Sequence, residues 1–340
     1  MSIEENFSDI IGKGYRKAQY ERLFKSIVFY ILVVFVFIWC VFPFFFAFLQ
    51  SFVNVNTRKG FEFLPVDPTY QNYRTVFDTF HFTKYIWNSA YISVITTITC
   101  VIIASFAGYV LATFAFRGKG LLMIIILSMT MFPGIIIAIP LLSLYVQFGK
   151  LNLPMFIVYW RLPFNISLSP LSFSLAPFHL STKFAFGNYK LVNTYIPGLL
   201  IPYIAFNLPL TVFLLYNFFQ EIPRELILAA RVDGASNFQV FRKVILPLAI
   251  PGVFTTAILV FIASWNEYLF ASILITNAAQ NGTVPLALAK FTGIPTTGEL
   301  YDPLLSLMAA CVIVTLPLVI VVLIFQKQIV SGITAGAVKG

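Results

Sequence analysis

The sequence predicts an all-α integral membrane protein of six transmembrane helices with both termini in the cytoplasm. Three observations carry this. The 340 residues are 59% hydrophobic and only 10% charged, more apolar surface than a globule of this size can bury, so the solvent for much of it is lipid. Charge-free apolar runs of about the ~20 residues that a bilayer-crossing helix requires recur along the chain. Thirteen of the 22 Lys and Arg fall on the side that carries the two tails when the N-terminus is placed inside, although the outer loops are longer.

The first span, about 27–49, is 23 residues without a charge, and Lys13, Arg16, Lys17, Arg22 and Lys25 precede it. That length exceeds the apolar core of a cleaved leader and reads as a signal anchor behind a cytoplasmic segment, 1–26. Spans two to six fall at about 90–116, 121–146, 196–219, 251–275 and 304–325. Span two carries Ala104, Gly108 and Ala112, a strip of small residues that lets another helix approach closely in lipid. Span three is expected to break at Pro133-Gly134 and Pro140, and span four at Pro202 and Pro209. The six-helix transmembrane domain covers 27–330, with an external elaboration at about 150–190 punctuated by Pro154, Pro163, Pro170 and Pro177, and a cytoplasmic tail at 331–340.

Cys40, Cys100 and Cys311 lie in apolar runs and read as packing residues. His81 and His179 stand apart from any CxxC or HExxH pattern, so the sequence presents no metal site and no catalytic set. The charge of +9 is explained by cytoplasmic anchoring and calls for no nucleic acid.

The link between spans four and five, 221–250, is the most polar long stretch of this region. Pro223 starts a helix on which Leu226, Ala229, Ala230 and Asp233 share a face, smooth enough to enter a groove on a protein. The alternative is an amphipathic helix lying on lipid, for which alanines are poor anchors. Asp233-Gly234 ends the helix, and a second one runs from Ala235 towards Pro247 and Pro251.

This stretch, IPRELILAARVDGASNFQVFRKVILPLAIPG, resembles the cytoplasmic EAA loop of bacterial ABC-importer permeases of the carbohydrate-uptake branch. Ala229, Ala230, Gly234, Leu246 and Pro247 match that pattern in register. NYRTVF and WNSAYI before span two, WNEYLF at 265–270 and the ending GITAGAVKG extend the match, and the ending is similar to that of the second, maltose-type permease subunit. Two departures stand out: Leu228 occupies the family's glutamate position, with Glu225 one turn earlier, and about forty residues are inserted between Gly149 and LVNTY.

The resemblance implies the ABC-importer permease fold and half of a translocation pathway in the bacterial cytoplasmic membrane. It implies four kinds of partner: a second permease, two cytoplasmic ATPases that hold ATP and magnesium, an extracytoplasmic sugar-binding protein, and the lipid itself. Glu225, Ala229, Ala230, Asp233, Gly234, Leu246 and Pro247 would couple to the ATPase. Asn281, Thr283 and Gly293 would meet the binding protein, and Gly332, Gly336 and Lys339 would reach towards the ATPases. Trp265, Asn266 and Glu267 either line a polar sugar path or hold span five against its neighbours. The chain has no GxxxxGK[ST], since GKGYRK and FRGKG lack the phosphate-cradling spacing, so hydrolysis belongs to another polypeptide. An ion-coupled secondary transporter is the first rival, but it calls for more spans and several buried coupling charges. A channel would need a re-entrant filter, and a membrane enzyme a clustered catalytic set.

Overall fold

The computed structural model describes residues 3–57, 63–148, 195–275, 277–292 and 302–337, which contain helices and turns and no strand. In chain order the helices are α1 (Ile3–Gln50), α2 (Gln71–Arg74), α3 (Phe82–Thr113), α4 (Lys119–Met129), α5 (Gly134–Phe148) and α6 (Tyr195–Gln220). There follow α7 (Arg224–Val232), α8 (Asn237–Val240), α9 (Leu246–Leu248), α10 (Ile250–Trp265), α11 (Leu269–Leu274), α12 (Ala278–Asn281), α13 (Val284–Leu288) and α14 (Pro303–Ala337). Four stretches are long and apolar enough to cross a bilayer alone: Arg22–Gln50, Phe82–Thr113, Gly198–Gln220 and Pro303–Gln328. Two bent helix pairs raise the number to six if each is one span. The insertion at about 150–190 lies outside the described residues.

The chain forms two compact units, residues 1–75 with 295–312 and residues 76–294 with 313–340. In the first, α1 carries an uninterrupted row of exposed apolar side chains from Ile27 to Phe42, the surface of a helix solvated by lipid. The NYR stretch closes the loop that follows. Asn72 is buried and donates both amide hydrogens, to the Ser51 and Val53 carbonyls at 3.0 and 2.9 Å. Phe52 sits 5.6 Å from the Tyr70 ring and 5.3 Å from the Tyr73 ring.

The second unit is built on α3, α6 and α10, which pack on one another. The small strip on α3 works as its composition predicts: Ala104 is fully buried, and a Cβ on Gly108 would stand 3.0 Å from the Tyr216 backbone nitrogen on α6. Gly252 on α10 carries the face of the Phe218 ring in the same way; a Cβ there would lie 2.6 Å from each ring Cδ. The first turns of α10 also meet α14, where Thr255 Oγ1 donates to the Gln328 carbonyl at 3.0 Å and Phe254 stacks on Phe325 at 5.4 Å.

Several expected boundaries are corrected. Span two begins at Phe82, eight residues before the predicted 90, behind a left-handed His81 (φ 49°). Span three does break at Pro133-Gly134, where α4 and α5 diverge by 86°, and Ser128 and Thr130 hydroxyls cover the carbonyls of Ile125 and Leu127 at 2.8 and 2.7 Å. Pro140, however, lies inside a continuous α5. Span four is not broken at all: α6 absorbs Pro202 and Pro209, and Asn207 and Thr211 side chains supply donors to the Tyr203 and Asn207 carbonyls at 2.8 and 2.6 Å. Span five is not one helix over 251–275. It ends at Trp265 after 16 residues and resumes as α11. The segment 1–26 and the tail are helical continuations of α1 from Ile3 and of α14 to Ala337.

Candidate functional site

The 221–250 stretch folds as two helical arms joined by a tight turn. Pro223 stands just before α7 with φ −54° and ψ 130°, the extended entry that precedes a first helical turn. On α7 Ile227 (7% exposed) and Ala230 face the core shared with α3 and α6. Glu225, Leu228, Ala229 and Val232, spaced i, i+3, i+4, i+7, therefore face away, with Leu228 58% and Val232 87% exposed. The predicted face of Leu226, Ala229, Ala230 and Asp233 is thus divided. Leu226, Ala229 and Asp233 are exposed, whereas Ala230 is packed against the protein's own core. Leu228 and Glu225 lie on the same outward stripe.

The turn has a defined hydrogen-bond pattern. The Ala235 amide donates to the Ala230 carbonyl and the Gly234 amide to the Arg231 carbonyl, both at 3.0 Å. These are the two bonds of a Schellman end, which requires the left-handed residue that Gly234 supplies at φ 83°. No atom lies within 4 Å of a Cβ built on Gly234, so the requirement there is conformational, with no steric part. Ser236 then opens the second arm with a capping box. Its Oγ accepts from the Gln239 amide at 3.3 Å, and Gln239 Oε1 accepts from the Ser236 amide at 2.8 Å. Neither residue was among the sequence candidates, although the S-x-x-Q spacing is the signal that marks such a box.

The second arm runs through α8, a π-helical turn at Phe241–Ile245, and α9. Phe241 is its anchor, with ring centroids 5.1 Å from Phe106 and Tyr109 and 6.4 Å from Phe219. Leu246 packs on the same core, and Pro247 is exposed. Pro247 and Pro251 cannot donate to the preceding turn, and the chain bends by 77° between α9 and α10 at Ala249.

The WNE stretch forms the break after α10. Trp265 is 1% exposed, and Asn266 returns its side-chain amide to the Ile262 carbonyl at 2.9 Å. The Glu267 carboxylate accepts from the Phe270 and Ala271 amides at 2.7 and 3.3 Å, so it caps α11. Tyr203 adds an O–H donor to the Glu267 carbonyl at 3.4 Å. The acid that stands out in the sequence thus spends its lone pairs on backbone.

Among the other candidates, Thr283 is 2% exposed and faces inward, which takes its side chain away from any contacting surface. Asn281 is partly exposed at the end of α12. Gly293 and Lys339 lie outside the described residues, and Gly332 and Gly336 lie within α14.

With a core of packed membrane helices and a two-armed loop seated beneath it, the chain belongs to the family of binding-protein-dependent transport system inner membrane components, whose family model matches residues 104–335. It is 38% identical over 299 residues to the trehalose transport system permease protein SugB of Mycobacterium tuberculosis, covering 88% of this chain and 92% of that one. It is 36% identical over 322 residues to the trehalose/maltose transport system permease protein MalG of Thermococcus litoralis, covering 94% and 99%. A crystal structure of a bacterial ABC transporter involved in import of the acidic polysaccharide alginate shares the fold, with a TM-score of 0.65 at 23% identity over 90% of this chain and 96% of that one. The chain is a multi-pass transport permease subunit of an ABC importer and not an enzyme; ATP hydrolysis belongs to a separate component.

Proposed function

We propose that this chain conducts a carbohydrate, with trehalose and maltose as the first solutes to try, as half of an ATP-driven import pathway in the cytoplasmic membrane. The single observation that carries the substrate class is near full-length similarity at 38% and 36% identity to permeases named for trehalose and for trehalose and maltose transport. The topology proposed is six spans with both termini inside: α1, α3, α6 and α14 cross singly, the bent pair α4–α5 forms span three, and α10 with α11 forms span five.

The loop 221–250 then faces the cytoplasm and serves as the coupling element. Glu225, Ala229, Asp233 and Gly234 form its contact edge with the ATPase, while Ala230 and Leu246 hold that edge against the membrane helices and Pro247 helps turn the chain into α10. Leu228 leaves the edge more apolar than the family's glutamate would, and Glu225 on the same stripe supplies the carboxylate. A second permease, two ATPases holding ATP and magnesium, and an external sugar-binding protein complete the machine, the last meeting the 277–294 region around Asn281 and Gly293. The insertion at about 150–190 is an external elaboration, and the end of α14 with Gly332, Gly336 and Lys339 reaches towards the ATPases.

Uptake by vesicles containing the assembled complex tests this. Trehalose or maltose import that needs ATP, the ATPase and the binding protein together is the expected outcome. Import driven by an ion gradient without ATP, or import of neither sugar by an ATP-hydrolysing complex, would overturn the transport class or the substrate class respectively.

A further inference from the structure

A closed circuit of four side chains locks the turn between α7 and α8 onto the end of α3. Tyr109, one turn before that end, donates its hydroxyl to the Asn237 carbonyl at 3.0 Å. The same carbonyl accepts the Phe241 amide, and the Tyr109 and Phe241 rings lie 5.1 Å apart, so Tyr109 holds one full turn of the second arm at both ends. Arg231, in the last turn of α7, donates Nη2 to Asn237 Oδ1 at 3.2 Å. Its guanidinium also lies 5.8 Å from the centroid of the Phe114 ring. Phe114 ends α3 by donating its amide to the Val110 carbonyl at 3.1 Å, and its ring stands edge-on to Tyr109 at 6.1 Å. Each member touches the next, and none belongs to the outward stripe of α7.

The chain's connectivity gives this circuit a task. The loop is tied covalently to α6 through Glu221–Pro223 and to α10 through the bend at Ala249, and both ties are single-strand pivots. A force on the outward stripe would turn the loop about these pivots unless something braced it. Helix α3 is the member of the three-helix core that the loop reaches through side chains alone. Its small strip against α6 makes those two helices a close-packed pair, so whatever moves the end of α3 moves the core.

We infer that Tyr109 and Arg231 are positioning residues that brace the loop against α3, so that displacement of α7 is delivered to α3, α6 and α10 together rather than lost as rotation of the loop. This rests on the proposed docking of α7 to the ATPase. The test is the number of ATP molecules hydrolysed per sugar imported by complete importer in vesicles, with whichever of trehalose and maltose the wild type carries. Tyr109→Phe keeps the ring and removes the hydroxyl. It assembles with the ATPase in wild-type yield and raises the ratio about fivefold, the population shift that loss of one neutral hydrogen bond produces. Arg231→Gln, at an exposed position that does not burden folding, raises it likewise, and the double variant adds little because both act on one circuit. A third variant, Ala229→Arg, loses the ATPase. If Ala229→Arg assembles normally, the docking reading fails and takes the brace with it. If Ala229→Arg loses the ATPase while Tyr109→Phe and Arg231→Gln both couple like wild type, the brace alone is wrong.

Discussion

Asn88 donates its side-chain amide to the carbonyl of Gly282 at 2.9 Å, a buried bond between residues 194 positions apart. One residue on, Ser89 Oγ accepts the Val284 amide at 2.8 Å. Together they seat the segment 282–284 on the first turns of α3, which gives the WNSAYI stretch a structural reason. Asn88→Ala leaves the Gly282 carbonyl buried and unpaired and costs about 1–3 kcal/mol. Denaturation of the purified complex in detergent measures this, and loss of stimulation by the binding protein is expected to accompany it.

Gly252→Ala drives a methyl group into the face of the Phe218 ring, since the built Cβ lies 2.6 Å from each Cδ. Overpacking of this kind costs about 1–3 kcal/mol. Phe218→Ala in the same chain restores most of the loss at this site. The double-mutant cycle therefore departs from additivity, and its interaction energy is the quantity to measure.

Gly234 needs a left-handed backbone and nothing else, because space around it is open. Gly234→Asn is tolerated best, Gly234→Ala costs about 1–2 kcal/mol of backbone strain, and Gly234→Val costs more. Retention of the ATPase on the solubilised permease follows the same order.

Glu267 distinguishes the two roles left open for the WNE stretch. As a helix cap it accepts two backbone amides, so Glu267→Ala costs about 1 kcal/mol while Glu267→Gln retains an acceptor and loses less. Sugar uptake tracks that order if the residue is structural. Equal loss of uptake in the two variants, with stability preserved in the glutamine form, would put the carboxylate in the sugar path instead.

What could be read from residues alone was set by physical range. Apolar runs, the small strip at Ala104 and Gly108, the break at Pro133-Gly134 and the glycine turn at Gly234 are local signals, and the structure has each of them. Pro202 and Pro209 misled because a proline removes one helix donor and need not break a membrane helix, and α6 runs through both positions. The interruption after Trp265 was hidden because apolar residues continue on both sides, and the cap that stabilises it depends on where the Glu267 side chain points. The rotation of α7 turned on Ile227, which joins a core that includes Tyr109 and Leu111 on α3, far away in sequence. Tyr109 and Asn237 stand 128 residues apart, beyond the reach of any periodicity.

The outward stripe of α7 as the seat of the ATPase is tested most directly by cross-linking. With Cys40, Cys100 and Cys311 replaced, a cysteine is placed by Ala229→Cys and treated with a short thiol-to-amine cross-linker in membranes carrying the complete importer. The account predicts a covalent adduct with the ATPase subunit and no labelling by a membrane-impermeant thiol reagent added outside the cell. Labelling from outside, or an adduct with the sugar-binding protein, would contradict it.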